Sequence, residues 1–239
     1  MSENQTRFQT MKIRVIVPTT ADEHIIAEQE KFQEIARSDT EISTVGLACA
    51  PDTVENDFDV ALSLPSILDE VRKAEREGMQ AAIIDCMSDL GVQAARRFSC
   101  IPVMGPAEAS MHYATLLSHS FSIIGVIPKD RVFYTRLLRR FDLVDRCVSI
   151  PVVDVPILEI LESDDPTKLV DACFDASLKA IREDGAAAII LGFAGMPDAV
   201  SSLQGRLADS GYDIPVIDPT LVTLKLAECL VDLGVMHND

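Results

Sequence analysis

The 239 residues carry a formal net charge of −17 at pH 7, with 48% hydrophobic and 25% charged side chains, so the chain has enough apolar material for a core and repels polyanions. Nucleic acid is therefore excluded as a partner, because backbone binding needs clustered Lys and Arg, and no apolar run reaches the roughly 18 residues of a membrane span. Cys49, Cys86, Cys100, Cys147, Cys173 and Cys229 show neither metal-ligand spacing nor a disulfide framework. With no phosphate-cradling glycine loop either, the expectation is a reduced, cytoplasmic protein that uses no cofactor and no metal.

Residues 1–11 are polar and read as a flexible leader. Short apolar runs then alternate with longer segments of helical period. The first series is a strand over 12–17, a helix over 22–37, a strand over 42–48, a helix over 58–77, a strand over 81–85, a helix over 90–98, a strand over 103–104 and a helix over 107–118. The second is a strand over 121–127, a helix over 131–141, a strand over 147–152, a short helical turn over 156–161, a helix over 166–183, a strand over 187–191, a helix over 199–210, a strand over 216–217 and a helix over 219–233. Most of the strand segments are continuously apolar rather than alternating. That pattern belongs to parallel strands covered on both faces, so the fold class is α/β.

The second series repeats the first. Gly78-Met-Gln-Ala-Ala-Ile-Ile-Asp-Cys86 lies over Gly185-Ala-Ala-Ala-Ile-Ile-Leu-Gly-Phe193 at a shift of 107, and Ile101-Pro-Val-Met-Gly-Pro106 over Ile214-Pro-Val-Ile-Asp-Pro219 at a shift of 113. The strand ending at Pro18 matches the one ending at Pro128 at a shift of 110. Collinear matches of this kind predict two pseudo-symmetric Rossmann-like lobes, each a mainly parallel open sheet flanked by helices. The lobes are expected over 12–119 and 120–239, with the C-terminal helix able to cross to the first. Open α/β sheets bind ligands at the carboxyl ends of their strands, which places the expected site in a cleft between the lobes. Cys86 and Phe193 hold equivalent positions and are expected to face one another there.

Cys86 is the residue with chemistry to offer. Ser88 and Asp89 follow it as candidate N-caps of the helix at 90, and a helix N-terminus lowers a thiol's pKa, producing a thiolate able to take a proton from carbon. On that basis Cys86 is expected to be the fastest of the six thiols to alkylate; the alternative is a small buried hydrophobe. Candidate substrate-binding groups are Pro18, Thr19 and Thr20 after the first strand, Ser88 and Asp89 beside the thiol, and Glu108 at a helix start. Phe193, Ala194 and Gly195 form the opposite wall, where Gly195 frees backbone N–H groups for an oxyanion. Gly105, Lys129, Asp218 and Thr220 are placed at the rim; Glu55, in a loop, is a candidate on the same footing as Glu108, and His112 lies one helical turn after Glu108 on the same face.

Four blocks, Cys86-Met-Ser-Asp-Leu-Gly91, Leu191-Gly-Phe-Ala-Gly-Met196, Gly105-Pro-Ala-Glu-Ala109 and Pro51-Asp-Thr-Val-Glu55, resemble those of the aspartate/glutamate/hydantoin racemase superfamily, closest to its hydantoin and allantoin racemase branch. The resemblance covers nearly the whole chain from Lys12 onward. It implies a cofactor-independent racemase in which two cysteines exchange a proton with the α-carbon of a small carbon acid: a hydantoin, an amino acid or a related carboxylic acid. The first of those cysteines maps onto Cys86, and Phe193 stands at the second position. The alternatives kept open are a lyase or decarboxylase working with Cys86 alone, as arylmalonate decarboxylases work with one cysteine, and a non-catalytic binding protein on the same scaffold. A homo-oligomer is the expected assembly.

Overall fold

The protein is described by a computed structural model over residues 10–51, 54, 56–153, 167–193 and 197–237. Strands β1 (Met11–Ile16), β2 (Thr40–Val45), β3 (Ala81–Ile84) and β4 (Val103–Met104) form one sheet in the order β2-β1-β3-β4. Strands β5 (Phe121–Ile124), β6 (Cys147–Ser149), β7 (Ile189–Leu191) and β8 (Val216–Ile217) form the other, in the order β6-β5-β7-β8. All of these pairings are parallel. Numbered within its own half, each sheet has the same strand order, as a duplicated chain requires. The flanking helices are α1 (Asp22–Ile35), α2 (Asp57–Arg76), α3 (Val92–Arg96), α4 (Pro106–Leu117), α5 (Asp130–Arg140), α6 (Thr167–Asp184), α7 (Pro197–Asp209) and α8 (Pro219–Leu233). The helical turn expected over 156–161 lies outside the described residues. Among the described residues, no helix is long and apolar enough to cross a membrane.

The continuous apolar runs are the central strands. Every residue of β3, β5 and β7 is buried, and β1 exposes Lys12 alone. Edge strand β2 alternates at its start and begins at Thr40, two residues before the predicted Ile42, because polar Thr40 and Glu41 hide its first turn from an apolar count. Its open edge is closed by side chains of α1. Gln33 donates to Thr40 O and accepts from Ile42 N at 3.2 and 3.1 Å, while Gln29 donates to Ile42 O and accepts from Thr44 N at 3.0 and 2.8 Å. Two glutamines one helical turn apart thus supply the bonds a further strand would make. Gln204 of α7 does the same at the far edge of the second sheet, donating to Ile214 O and accepting from Val216 N.

Repeat-equivalent turns also share their geometry. Gly78 and Gly185, each between a long helix and a central strand, have φ of 77° and 76°. That left-handed conformation lets the helix end and the chain reverse within one residue, which other side chains resist.

The chain divides into two compact units. The first comprises Met1–Ile84, Gly91–Met104 and Leu224–Asp239, and the second Asp85–Leu90 and Gly105–Thr223. The second half of α8 is held in the first unit: Glu228, 2% exposed, accepts from Arg37 N at 2.9 Å, and Lys225 Nζ donates to Ile35 O at 2.7 Å. The second unit is built around Ile124, Leu169, Cys173, Leu191, Leu203 and Leu207. The six residues from Asp85 to Leu90, Cys86 among them, pack in this unit together with α4.

Candidate active site

After β3 the chain makes a tight turn in which Asp89 N donates to Cys86 O at 2.8 Å. Ser88 Oγ lies 3.3 Å from Cys86 Sγ, and the Ser88 N–H also reaches the sulfur. Asp89 is 5% exposed and has a φ of 50°, a conformation that Asp tolerates better than most residues. Its carboxylate accepts from Ala107 N at 2.9 Å and from Glu108 N at 2.7 Å, capping α4 from outside that helix. Bonds to a charged acceptor contribute about 1.5–3 kcal/mol each, enough to offset a left-handed residue.

Three expectations change here. The helix predicted from residue 90 is the five-residue α3, which begins at Val92 after Gly91 at φ 71° with no side-chain cap. Ser88 and Asp89 therefore do not cap it, because the left-handed Gly91 separates them from the helix and Asp89 is turned to α4. Nor is the Cys86 thiol depressed. Burial pushes its pKa above the ordinary value, opposed by the Ser88 hydroxyl and N–H, with the Asp85 and Asp89 charges adding to the rise. Finally, Cys86 is half-buried while Cys49, Cys100 and Cys229 are exposed, so access favours those three over Cys86 for alkylation.

The remaining sequence candidates divide between site and scaffold. Thr19 is 4% exposed and its Oγ1 accepts from Ala21 N at 3.1 Å, while Pro18 is half-buried and Thr20 exposed. Glu108 is half-buried at the start of α4, one residue beyond Ala107. His112 is exposed and its ring lies 5.9 Å from that of Phe141. Lys129 is exposed before α5, and Asp218 caps α8 by accepting from Thr220 N and Leu221 N at 2.9 and 3.2 Å. Phe193 is half-buried and packs against the core of the second unit. Glu55, Ala194 and Gly195 lie outside the described residues.

Sequence reasoning missed Tyr134. It is 2% exposed, and its hydroxyl donates to Gly192 O at 2.7 Å, one residue before Phe193. Asp130, one helical turn earlier on α5, fixes the loop after β5 by accepting from Val126 N and Ile127 N at 2.6 and 3.1 Å. Burial pushes the Tyr134 phenol well above its ordinary pKa, with the negative charges of Asp130, Cys86 and Asp89 adding to it, so phenol and thiol share one electrostatic neighbourhood. The available signal was a tyrosine four residues after an acidic residue at the start of a helix, apolar in body and polar at the tip. A separate cavity of about 620 Å³ at the β6 edge is lined by Arg131, Ser149, Val152 and Lys179, with none of the Cys86 turn in its wall. Among the described residues, no group of three or more His, Cys, Asp or Glu side chains converges as a metal site.

The duplicated parallel α/β chain, with a half-buried thiol just beyond a central strand, can be compared as a whole with known proteins. Residues 13–227 match the Asp/Glu/Hydantoin racemase family. The chain belongs to this family. A hydantoin racemase of Pseudomonas sp. (strain NS671) is 34% identical over 224 residues, spanning 94% of this chain and 87% of that protein. A hydantoin racemase of Paenarthrobacter aurescens is 32% identical over 225 residues, spanning 94% and 92%. The solved structure of an allantoin racemase from Klebsiella pneumoniae is similar with a TM-score of 0.86 and 29% identity, covering 95% of this chain and 90% of that one. This racemase-family chain is accordingly an enzyme of racemase type.

Proposed function

We infer that this racemase acts on small cyclic carbon acids of the hydantoin kind, with Cys86 as the base and no cofactor. The observation that carries the reading is the Cys86 turn itself: a thiol at the carboxyl end of a buried central strand, with the Ser88 hydroxyl 3.3 Å from its sulfur. The relatives named for hydantoin and allantoin supply the substrate class. In a hydantoin the proton leaving C5 is acidified by the adjacent carbonyl. The Cys86 thiolate takes it, the electron pair moves into the enolate, and a proton returned to the opposite face gives the other enantiomer. Phe193 has no proton to give, so an ionisable group elsewhere or a water delivers the second one. Six free cysteines fit a reducing compartment.

Because burial raises the thiol, only a small fraction is thiolate at neutral pH. The rate at low substrate should therefore climb with pH through the raised thiol pKa. The test is proton NMR of a single enantiomer of a 5-substituted hydantoin in deuterated water, followed in parallel by optical rotation. The unmodified chain should exchange the C5 proton and lose rotation, and Cys86→Ala should lose both by 10²-fold or more. Unchanged exchange in Cys86→Ala removes Cys86 as the base. No exchange with hydantoins or allantoin, but exchange with an amino acid, replaces the substrate class.

A further inference from the structure

The two halves cap equivalent helices differently. In the second half Asp218 stands immediately before α8 and accepts from Thr220 N and Leu221 N, a local cap. The equivalent residue in the first half, at the shift of 113 that aligns Ile101 with Ile214, is Gly105, which has no side chain and makes no side-chain cap. At the same shift Ala107 and Glu108 are the equivalents of Thr220 and Leu221, and their N–H groups are taken by Asp89. The capping carboxylate has thus moved from the helix's own N-cap to a residue three positions after Cys86.

A carboxylate at residue 105 would satisfy α4 equally well, so capping alone gives no reason for the distant position. What the distant position adds is a tether. Asp89 N closes the turn onto Cys86 O, and the Asp89 side chain fixes that turn to two consecutive N–H groups of a twelve-residue helix. Asp89 makes both contacts while in a left-handed φ of 50°. Residues 85–90 and α4 consequently belong to one compact unit. We propose that Asp89 is a positioning residue, holding the Cys86 thiol at a fixed place and depth by pinning its turn to α4. The kinetic part of this inference rests on the Cys86 reading above.

Capping and positioning separate in a variant that restores the cap without the tether. Asp89→Ala should lower the melting temperature, reduce kcat of C5 proton exchange at least tenfold with little change in KM, and alter alkylation of Cys86 by iodoacetamide. Alkylation is followed site by site by mass spectrometry across pH. Removing the Asp89 charge moves the midpoint of that profile, whereas loss of position moves its high-pH plateau. Adding Gly105→Asp, in a backbone whose φ of −131° suits any residue, should bring the melting temperature back while kcat and the plateau stay altered. Return of kcat and plateau to those of the unmodified chain overturns the proposal and leaves Asp89 a cap. If Gly105→Asp does not restore stability, Asp89→Asn decides. It retains a single carbonyl acceptor in place of two, so its plateau should be displaced in the same direction, and an unmoved plateau overturns the proposal. The plateau needs no substrate, so it reports on Asp89 even where hydantoin turnover fails.

Discussion

Gly192 is the position where a single methyl group should do most damage. Its N–H donates to Ile124 O at 2.8 Å, joining β7 to β5 just before Phe193. A Cβ there would lie 2.5 Å from that same oxygen, 3.0 Å from Tyr134 Oη and 3.1 Å from Tyr134 Cε2. Close carbon–oxygen contacts ordinarily begin at about 3.3 Å, so the methyl overlaps a ladder oxygen by roughly 0.8 Å. Relief requires either spreading β5 from β7 or swinging Tyr134 out of its buried place. Overpacking costs about 1–3 kcal/mol, and breaking the Tyr134 bond leaves Gly192 O unpaired for about 1–3 kcal/mol more, so Gly192→Ala should cost about 2–6 kcal/mol. Tyr134→Phe loses the hydroxyl alone, about 1–2 kcal/mol. Urea denaturation measures both, and the double variant should fall short of additivity because the two changes share one contact. A Gly192→Ala cost under about 1 kcal/mol, or strict additivity, would refute the close-approach argument.

Burial pushes Cys147 and Cys173 up to about 12, so both should resist iodoacetamide in the native state at pH 8. Cys49, Cys100 and Cys229 should label first and Cys86 between the two groups, as read by peptide mass spectrometry. Gln33→Ala removes both of its bonds to β2, at Thr40 O and Ile42 N, and should cost about 1–3 kcal/mol in urea denaturation. It should also raise light scattering on heating, because it uncovers a strand edge. The Asp130 carboxyl is raised by burial against the pull of two N–H bonds, so the native chain takes up this proton at higher pH than the unfolded chain. Its contribution to stability grows as pH falls from that raised value toward about 3.9, and Asp130→Asn should flatten this part of the melting-temperature profile.

What the sequence made legible was whatever repeats locally. Continuous apolar runs marked the buried strands, and the aligned glycines at 78 and 185 marked turns that share one φ. What it hid depends on partners far along the chain. Asp89 reads as the cap of the next helix because local spacing is all that a sequence offers, yet its acceptors serve a helix 18 residues on. The depressed thiol followed from the same error, since without a long helix at residue 90 burial decides the direction. Tyr134 carries only a faint local signal, its spacing from Asp130, because the partner of its hydroxyl, Gly192, lies 58 residues away. Gln29, Gln33 and Gln204 look like solvent-facing helix residues until the strand edges they close are placed beside them.

Duplicated halves should agree wherever the sheet needs the same packing and differ where only the site cares. The strand orders and the φ of Gly78 and Gly185 agree. Asp85 against Gly192, Cys86 against Phe193 and Gly105 against Asp218 differ, and all six lie at or just beyond the carboxyl ends of β3, β7, β4 and β8. If Cys86 with its flanking carboxylates and Phe193 with its neighbouring Tyr134 phenol meet opposite faces of a bound carbon, they cannot treat those faces alike. For a hydantoin with one stereocentre the two enantiomers have equal free energy in water, so the ratio of kcat/KM for the two directions must be one whatever the groups. The individual constants carry no such constraint. If Cys86 serves as the base on one face and a different kind of donor serves the other, kcat should differ several-fold between the enantiomers, with KM changing by the same factor. Equal kcat values would instead point to two matched acid–base groups and count against the unequal pair. Progress curves from each pure enantiomer, measured by polarimetry, decide between these outcomes.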